Sequence, residues 1–141
     1  MPAIQFFEED ITYTLKNKTK IRQWINQTIV AEGFTLQELV FVFCSDAYLL
    51  KINQKYLDHD TYTDIITFDN SVDKGEIRGD IFISIPRIRE NAAGFSVSVT
   101  DELDRVIIHG VLHLLGYKDK TPAAKKKMTE KEDYYLGKRP F

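Results

Sequence analysis

Residues 101–119 read DELDRVIIHGVLHLLGYKD, and this stretch decides the fold. Apolar residues surround most of the second half of the helix that it predicts, so we expect that helix to be buried. His109 and His113 are four residues apart, which places both rings on one side of the helix. Gly116 tolerates the left-handed backbone that ends a helix, and the returning chain would carry Asp119 towards the two histidines.

The spacing H-x3-H-x2-G-x2-D predicts that His109, His113 and Asp119 bind one metal ion and form the catalytic centre. Neutral imidazole and carboxylate are ordinary zinc ligands, and three protein ligands with an open fourth position are typical of catalytic zinc sites. We therefore expect one Zn²⁺ per chain. The alternative is a pair of structural histidines, which would need other partners because an unpaired buried polar group costs about 1–3 kcal/mol.

The same spacing matches the long zincin signature of metallopeptidases, H-E-x-x-H-x-x-G-x-x-H, with two changes. Gly110 stands where those peptidases carry the general-base glutamate, and Asp119 stands where they carry the third histidine. A metallopeptidase is therefore an alternative, which Gly110 disfavours because glycine cannot activate water. Gly110 shares a helix face with Leu103, Ile107 and Leu114, so we expect it to allow the close approach of another element.

Length and composition are those of one ordinary domain, residues 1–141, with 43% hydrophobic and 28% charged residues. No run approaches the roughly 20 apolar residues of a membrane span. The start MPAIQFFEED lacks a signal pattern, so we expect a cytoplasmic protein.

Cys44 is the only cysteine, and its apolar neighbours predict a small buried residue. The net charge of −2 gives no general attraction for nucleic acid, so RNA binding would need a local basic patch.

The order of elements predicts an α+β fold. We expect a mixed sheet of about four strands with helices packed on it, and a metal site on a central helix and its following turn. The predicted strands are Ala3–Phe7, Leu39–Cys44 at the centre, and a hairpin of Asp64–Phe68 and Asp80–Ile85. The predicted helices are Lys20–Ala31, Ala47–Tyr56 capped by Asp46, Pro86–Ala93, a long helix from Thr100 to Leu115, and Pro122–Leu136. Leu57–Thr63 is predicted to be a loop.

DELDRVIIHGVLHLLGYKD also resembles the signature H-G-x-L-H-L-x-G-Y-D-H of the YbeY family of bacterial metal-dependent endoribonucleases. Residues 52–69, INQKYLDHDTYTDIITFD, resemble the second block of the family, an L-N-x-x-[FY]-R loop followed by P-T-D-V-L-S-F. Residues 79–84, GDIFIS, resemble the short G-D-I strand that follows it. Together with the order of elements, the resemblance covers nearly the whole chain.

The resemblance implies a zinc-dependent endoribonuclease directed at single-stranded RNA. It implies a role in maturation of the 3′ end of 16S ribosomal RNA and in ribosome quality control. The implied partners are ribosomal RNA and the small ribosomal subunit, without a membrane. The implied site lies in a cleft beside a basic groove.

Two positions depart from the pattern of that family. Asp119 aligns with its third histidine; carboxylate can replace imidazole on zinc, but the added negative charge should make the metal a weaker Lewis acid. Leu57 aligns with its loop arginine, so a guanidinium that would hold a phosphate is missing there. A ribosome-assembly factor that keeps the fold and the metal but cuts slowly or not at all is therefore a further alternative.

Metal-assisted hydrolysis is the mechanism that these residues predict: the ion polarises a phosphoryl oxygen, lowers the pKa of its bound water, or both. The 2′-hydroxyl of RNA is an alternative nucleophile, which would need only a positioned proton acceptor. Such chemistry also needs positive charge near the non-bridging oxygens. The candidate substrate contacts are Lys118, Lys120, Arg78 and Arg105, followed by Arg87 and Lys125–Lys127.

Several polar residues have a functional and a structural interpretation. Asp64 and Asp80 could orient a ligand or accept a proton, or they could cap a strand and satisfy a turn. His59 is expected to be solvated, with substrate contact as the alternative. Asn53 and Tyr56 match the second block of the family, and their alternative role is helix packing and capping.

Overall fold

A computed structural model of the chain describes residues 3–57 and 62–141, and its elements follow the predicted order. The strands are β1 (Ile4–Glu9), β2 (Thr35–Cys44), β3 (Ile65–Asp69) and β4 (Glu76–Ser84). The helices are α1 (Lys18–Ala31), α2 (Asp46–Leu57), α3 (Ile85–Phe95), α4 (Val99–Leu114) and α5 (Pro122–Leu136).

The four strands form one mixed sheet in the order β1-β2-β4-β3. β2 pairs in parallel with β1 on one side and with β4 on the other, while β3 and β4 form the antiparallel hairpin. This confirms the predicted mixed sheet and the predicted hairpin. The central position of β2 explains its continuous run of buried residues from Phe41 to Cys44, because both faces of that strand are covered.

Side chains alternate across the sheet, so its two faces carry different helices. The larger core lies on the face where Ile81 of β4 and Phe41 of β2 meet α1 and α4. On the opposite face, Leu49 of α2 covers Val42 and Ile66. The candidate metal helix α4 therefore lies against the principal core, as predicted.

Gly110 lets α4 approach the sheet closely. A Cβ atom at this position would lie 2.8 Å from Cδ1 of Ile65 and 3.2 Å from Cγ2 of Ile81. The first distance is shorter than van der Waals contact allows, so the Ile65 side chain would have to move to admit a Cβ atom at residue 110. The prediction that Gly110 allows close approach is confirmed.

Two helix caps differ from those predicted. Ser45, rather than Asp46, caps α2: its hydroxyl accepts a hydrogen bond from the backbone N–H of Tyr48 at 3.0 Å. Asp46 instead accepts one from Nε of Arg87 at 3.0 Å. Likewise Ser98 caps α4, which therefore begins before Thr100. In each case a serine just before the predicted start of the helix accepts the capping hydrogen bond.

Two element boundaries also differ from the prediction. β2 begins at Thr35 rather than at Leu39, because its polar first residues pair with the start of β4. Leu57 is the last residue of α2 rather than the first residue of a loop. His59 lies outside the described residues. Across residues 3–57 and 62–141, the helices are too short or too polar to cross a bilayer.

Candidate metal centre

The structure brings the three predicted ligands together at the end of α4. One nitrogen of His109, one of His113 and a carboxylate oxygen of Asp119 all lie within 4.8 Å of one another. Oδ2 of Asp119 is 3.4 Å from Nε2 of His109 and 3.3 Å from Nε2 of His113. Gly116 has a φ of 106°, a left-handed conformation that favours glycine and turns the chain back towards the histidines.

The far side of each imidazole faces a hydrogen-bond acceptor. Nδ1 of His113 lies 3.0 Å from the carbonyl oxygen of Tyr117, and Nδ1 of His109 lies 2.6 Å from Oε2 of Glu132. A carbonyl or carboxylate oxygen can only accept a hydrogen bond, so we assign a proton to the Nδ1 atom of each ring. In the neutral rings, each Nε2 then directs a lone pair at the carboxylate of Asp119. Two lone pairs and an anionic oxygen repel unless a proton or a metal cation lies between them, and this donor set fits zinc.

Glu132 of α5 contacts one of the candidate ligands, and the sequence analysis did not identify it. Besides facing His109, it accepts a hydrogen bond from Nη1 of Arg105 at 2.9 Å, and Nη2 of Arg105 contacts Asp133 at 2.7 Å. Burial by itself lowers the pKa of His109, but the hydrogen bond to Glu132 and the negative charges of Glu132 and Asp119 raise it above its ordinary value. A carboxylate that orients a ligating histidine in this way is common around protein-bound metals.

The turn that carries Asp119 is held by a contact from Glu32, the residue that follows α1. The hydroxyl of Tyr117 donates a hydrogen bond of 2.5 Å to Glu32, which also accepts hydrogen bonds from Tyr135 and Lys131. Burial acts to raise the pKa of Glu32, but these three donors lower it below its ordinary value. The carbonyl of Tyr117 in turn faces His113. The contacts of Glu32 with Tyr117 and with α5 therefore help to position His113 and Asp119.

A cavity of about 300 Å³ opens beside His109 and Asp119. Asp64 lies in its wall, where its carboxylate accepts a hydrogen bond from Asn91 at 3.3 Å. Burial raises the pKa of Asp64, although the nearby His109 acts in the opposite direction. Lys125 of α5 also lines the cavity. Of the polar residues considered from sequence, Asp64, Arg105 and Lys125 therefore line the space next to the histidines.

Two other residues predicted from the sequence, Asp80 and Arg78, lie away from the metal centre. Asp80 accepts a hydrogen bond from Asn70 and points to the side of β4 that carries Phe82, opposite to the side that faces α4. Arg78 projects from the same side and pairs with Glu38 at 3.3 Å. The structure therefore does not bring Asp80 or Arg78 to the metal centre.

The two lysines nearest to the third ligand, Lys118 and Lys120, are exposed on either side of Asp119. Arg87 is paired with Asp46. Asn53 is buried, and Tyr56 packs edge-on against Phe68 with ring centroids 5.9 Å apart, which agrees with the packing alternative for these residues.

Comparison with known proteins finds one matching family model, several relatives that share one name, and a similar solved structure. Residues 3–139 match the family model described as Endoribonuclease YbeY. Proteins named endoribonuclease YbeY are 54% identical in Cytophaga hutchinsonii, over 99% of this chain and 97% of that protein, and 42% identical in Bacteroides thetaiotaomicron, over 97% and 99%. The solution structure of a Thermotoga maritima protein superimposes with a TM-score of 0.64 at 25% identity, covering 94% of this chain and 86% of the other.

Proposed function

The chain belongs to the endoribonuclease YbeY family, and we propose on this premise that it is a metal-dependent endoribonuclease that cuts single-stranded RNA. The observation that carries the proposal is the convergence of His109, His113 and Asp119 beside an open cavity. A labelled single-stranded RNA, incubated beside a duplex of the same sequence, tests the activity. Cleavage of the single strand supports the proposal, and an intact RNA in the presence of bound metal contradicts it.

His109, His113 and Asp119 are the proposed ligands of one zinc ion per chain. Zinc held there would act as a Lewis acid towards a phosphoryl oxygen and would lower the pKa of a water molecule. The role of the protein is to hold both histidines in the tautomer that leaves Nε2 free, through Glu132 and the carbonyl of Tyr117. Asp64 is the proposed proton acceptor, because its carboxylate lines the same cavity.

The proposed substrate is the precursor of 16S ribosomal RNA, cut near its 3′ end, with ribosome quality control as the wider role. The support is membership of the family together with the site. The proposed partner is accordingly the small ribosomal subunit, and the proposed place of action is the cytoplasm. Incubation of the precursor with the purified protein tests this assignment: one defined cut near the 3′ end supports it, and cuts spread along the whole precursor contradict it.

Glu132→Gln is expected to weaken metal binding about 10- to 100-fold, because the amide loses the negative charge that orients His109 and strengthens it as a ligand. The protein should still bind one equivalent of zinc when the metal is in excess. Competition with a chelating dye measures the affinity. Glu130→Gln is the matched control, since Glu130 is exposed on the same helix. Equal affinities in the two variants would remove the proposed role of Glu132.

Lys125 is the proposed phosphate contact that compensates for Leu57. Lys125→Ala is expected to weaken RNA binding and to lower the log–log salt slope by about one, since each phosphate contact releases about one counterion. The adjacent Lys126→Ala is the control, because Lys126 is exposed but does not line the cavity. Binding isotherms at several salt concentrations measure the slope. Identical slopes in wild type and Lys125→Ala would place the contact elsewhere, and Lys118→Ala with Lys120→Ala would test the other proposed pair.

A slow or inactive ribosome-assembly factor remains the second candidate, and Leu57 is the observation that favours it. Leu57→Arg restores the charge of the family pattern and should raise cleavage if the chain is a nuclease. Cleavage that stays undetectable in this variant, together with co-sedimentation of the protein with the small ribosomal subunit, would favour the assembly factor. Metallopeptidase activity is disfavoured because residue 110, where a zincin base would stand, faces Ile65 and Ile81.

A further inference from the structure

A second cavity, of about 550 Å³, adjoins the cavity of the candidate metal centre. Phe95, Glu102 and Arg105 line both of them. The two cavities are therefore neighbours, and a chain molecule bound over the first can place its next group in the second. The volume lies in the range of ordinary small-ligand pockets, so the second cavity can hold one flat group of such a molecule.

Aromatic and aliphatic surface is exposed in this second cavity. Phe95 is 68% exposed and Val97 is 44% exposed, although both are large apolar residues. The left-handed Ser96 ends α3 between them, and Ser98 begins α4 directly afterwards, so the short connection holds both side chains near the start of α4. Exposed aromatic rings beside a nucleic-acid path are the usual platforms on which unpaired bases stack.

The charges of the cavity suit a neutral group better than a phosphate. Arg105 is paired with Asp133 at 2.7 Å, and Arg139 is paired with Asp101 at 3.1 Å. Glu102 adds a third carboxylate. Because the guanidinium groups are already neutralised, the cavity has little attraction for an anion. Its carboxylates can instead accept hydrogen bonds from an amino group.

We propose that this cavity is a nucleobase subsite, in which a base of the RNA stacks on Phe95 and its exocyclic amino group donates to a carboxylate of the wall. The inference rests on the proposed ribonuclease function and adds to it a preference for bases that carry an exocyclic amino group. Cytosine, adenine and guanine carry such an amino group and uracil does not. The subsite therefore selects cytidine over uridine at one position near the cleaved bond.

Fluorescence anisotropy of the zinc-loaded protein with short 2′-O-methyl oligonucleotides tests the subsite. Phe95→Ala is expected to raise the Kd for oligocytidylate about 5- to 100-fold, the usual effect of losing one stacked base. The salt slope should stay as in wild type, because no phosphate contact is lost. Phe95→Tyr should retain wild-type affinity. Phe7→Ala is the matched control, since Phe7 is 49% exposed on β1, and it should leave binding unchanged.

The second part of this test compares the affinities of wild type for oligonucleotides with different bases. Wild type should bind oligocytidylate more tightly than oligouridylate, and equal affinities overturn the contact to the amino group. An unchanged Kd in Phe95→Ala, with metal content and Tm as in wild type, overturns the stacking platform. If wild type still cuts RNA in that case, the subsite alone is wrong. A zinc-loaded wild type that neither binds nor cuts RNA contradicts the proposed function as well.

Discussion

The double variant His109→Ala with His113→Ala is expected to lose its metal ion and to cut RNA at least about a thousandfold more slowly than wild type. Two of the three ligands are removed, and a single carboxylate does not retain zinc against water. A metal ion held by these residues would stabilise transition-state charge by several kcal/mol, and each 1.4 kcal/mol corresponds to a tenfold change in rate. Elemental analysis and single-turnover cleavage of a labelled RNA measure the two losses.

The fold of this double variant needs its own measurement, because the rings lie close to the buried part of α4. Far-UV circular dichroism and Tm should show a folded protein. Glu130→Gln, an exposed change on α5, provides the control for expression and handling. A double variant that keeps one equivalent of metal would show that the ion binds elsewhere. A folded variant that loses the metal but cuts at the wild-type rate would show that cleavage does not depend on it.

Gly110→Glu is expected to destabilise the fold by about 3 kcal/mol or more, and to create no peptidase. The added Cβ meets Ile65 at 2.8 Å and Ile81 at 3.2 Å, and overpacking alone costs about 1–3 kcal/mol. Burying the carboxylate adds to this cost. Urea unfolding measures the free energy, and a fluorogenic peptide panel measures the activity.

A glycine-to-alanine pair isolates the steric part of this prediction. Gly110→Ala should be clearly less favourable than Gly94→Ala, because its methyl group meets the same two isoleucines, whose side chains must shift. Gly94→Ala, also within a helix, should be neutral or stabilising by up to about 1 kcal/mol, since nothing lies within 4 Å of its added Cβ. Equal effects of the two substitutions would contradict the close approach of α4 to the sheet. A stable Gly110→Glu protein that hydrolyses peptides would favour the metallopeptidase.

The convergence of the three proposed ligands was predictable because it depends on local geometry. Helical periodicity places His109 and His113 on one side of α4, and Gly116 supplies the turn that carries Asp119 back. These constraints act within a short stretch of chain, so spacing alone describes them. The mixed sheet and its hairpin were predictable for a similar reason, since buried strands and turn residues alternate along the sequence.

Glu132 was not predictable from spacing, because its contact with His109 depends on how α5 packs on α4. Along α5 the residues Met128, Glu132 and Tyr135 are buried, a spacing of four and three residues on one helix face. A carboxylate on an otherwise apolar stripe is the signal that could have identified it. Asp80 shows the converse, because its residue type suited the site but strand alternation placed it on the opposite face of the sheet.

Cleavage by the metal-free wild-type protein during a zinc titration tests the central claim most directly. We predict no cutting of a labelled single-stranded RNA without metal. The rate should then rise with added zinc and reach its maximum at one equivalent per chain, while the double histidine variant stays inactive throughout. Full cleavage by the metal-free protein, or an intact RNA when one equivalent of zinc is bound, would contradict the assignment of His109, His113 and Asp119 as the metal centre of an endoribonuclease.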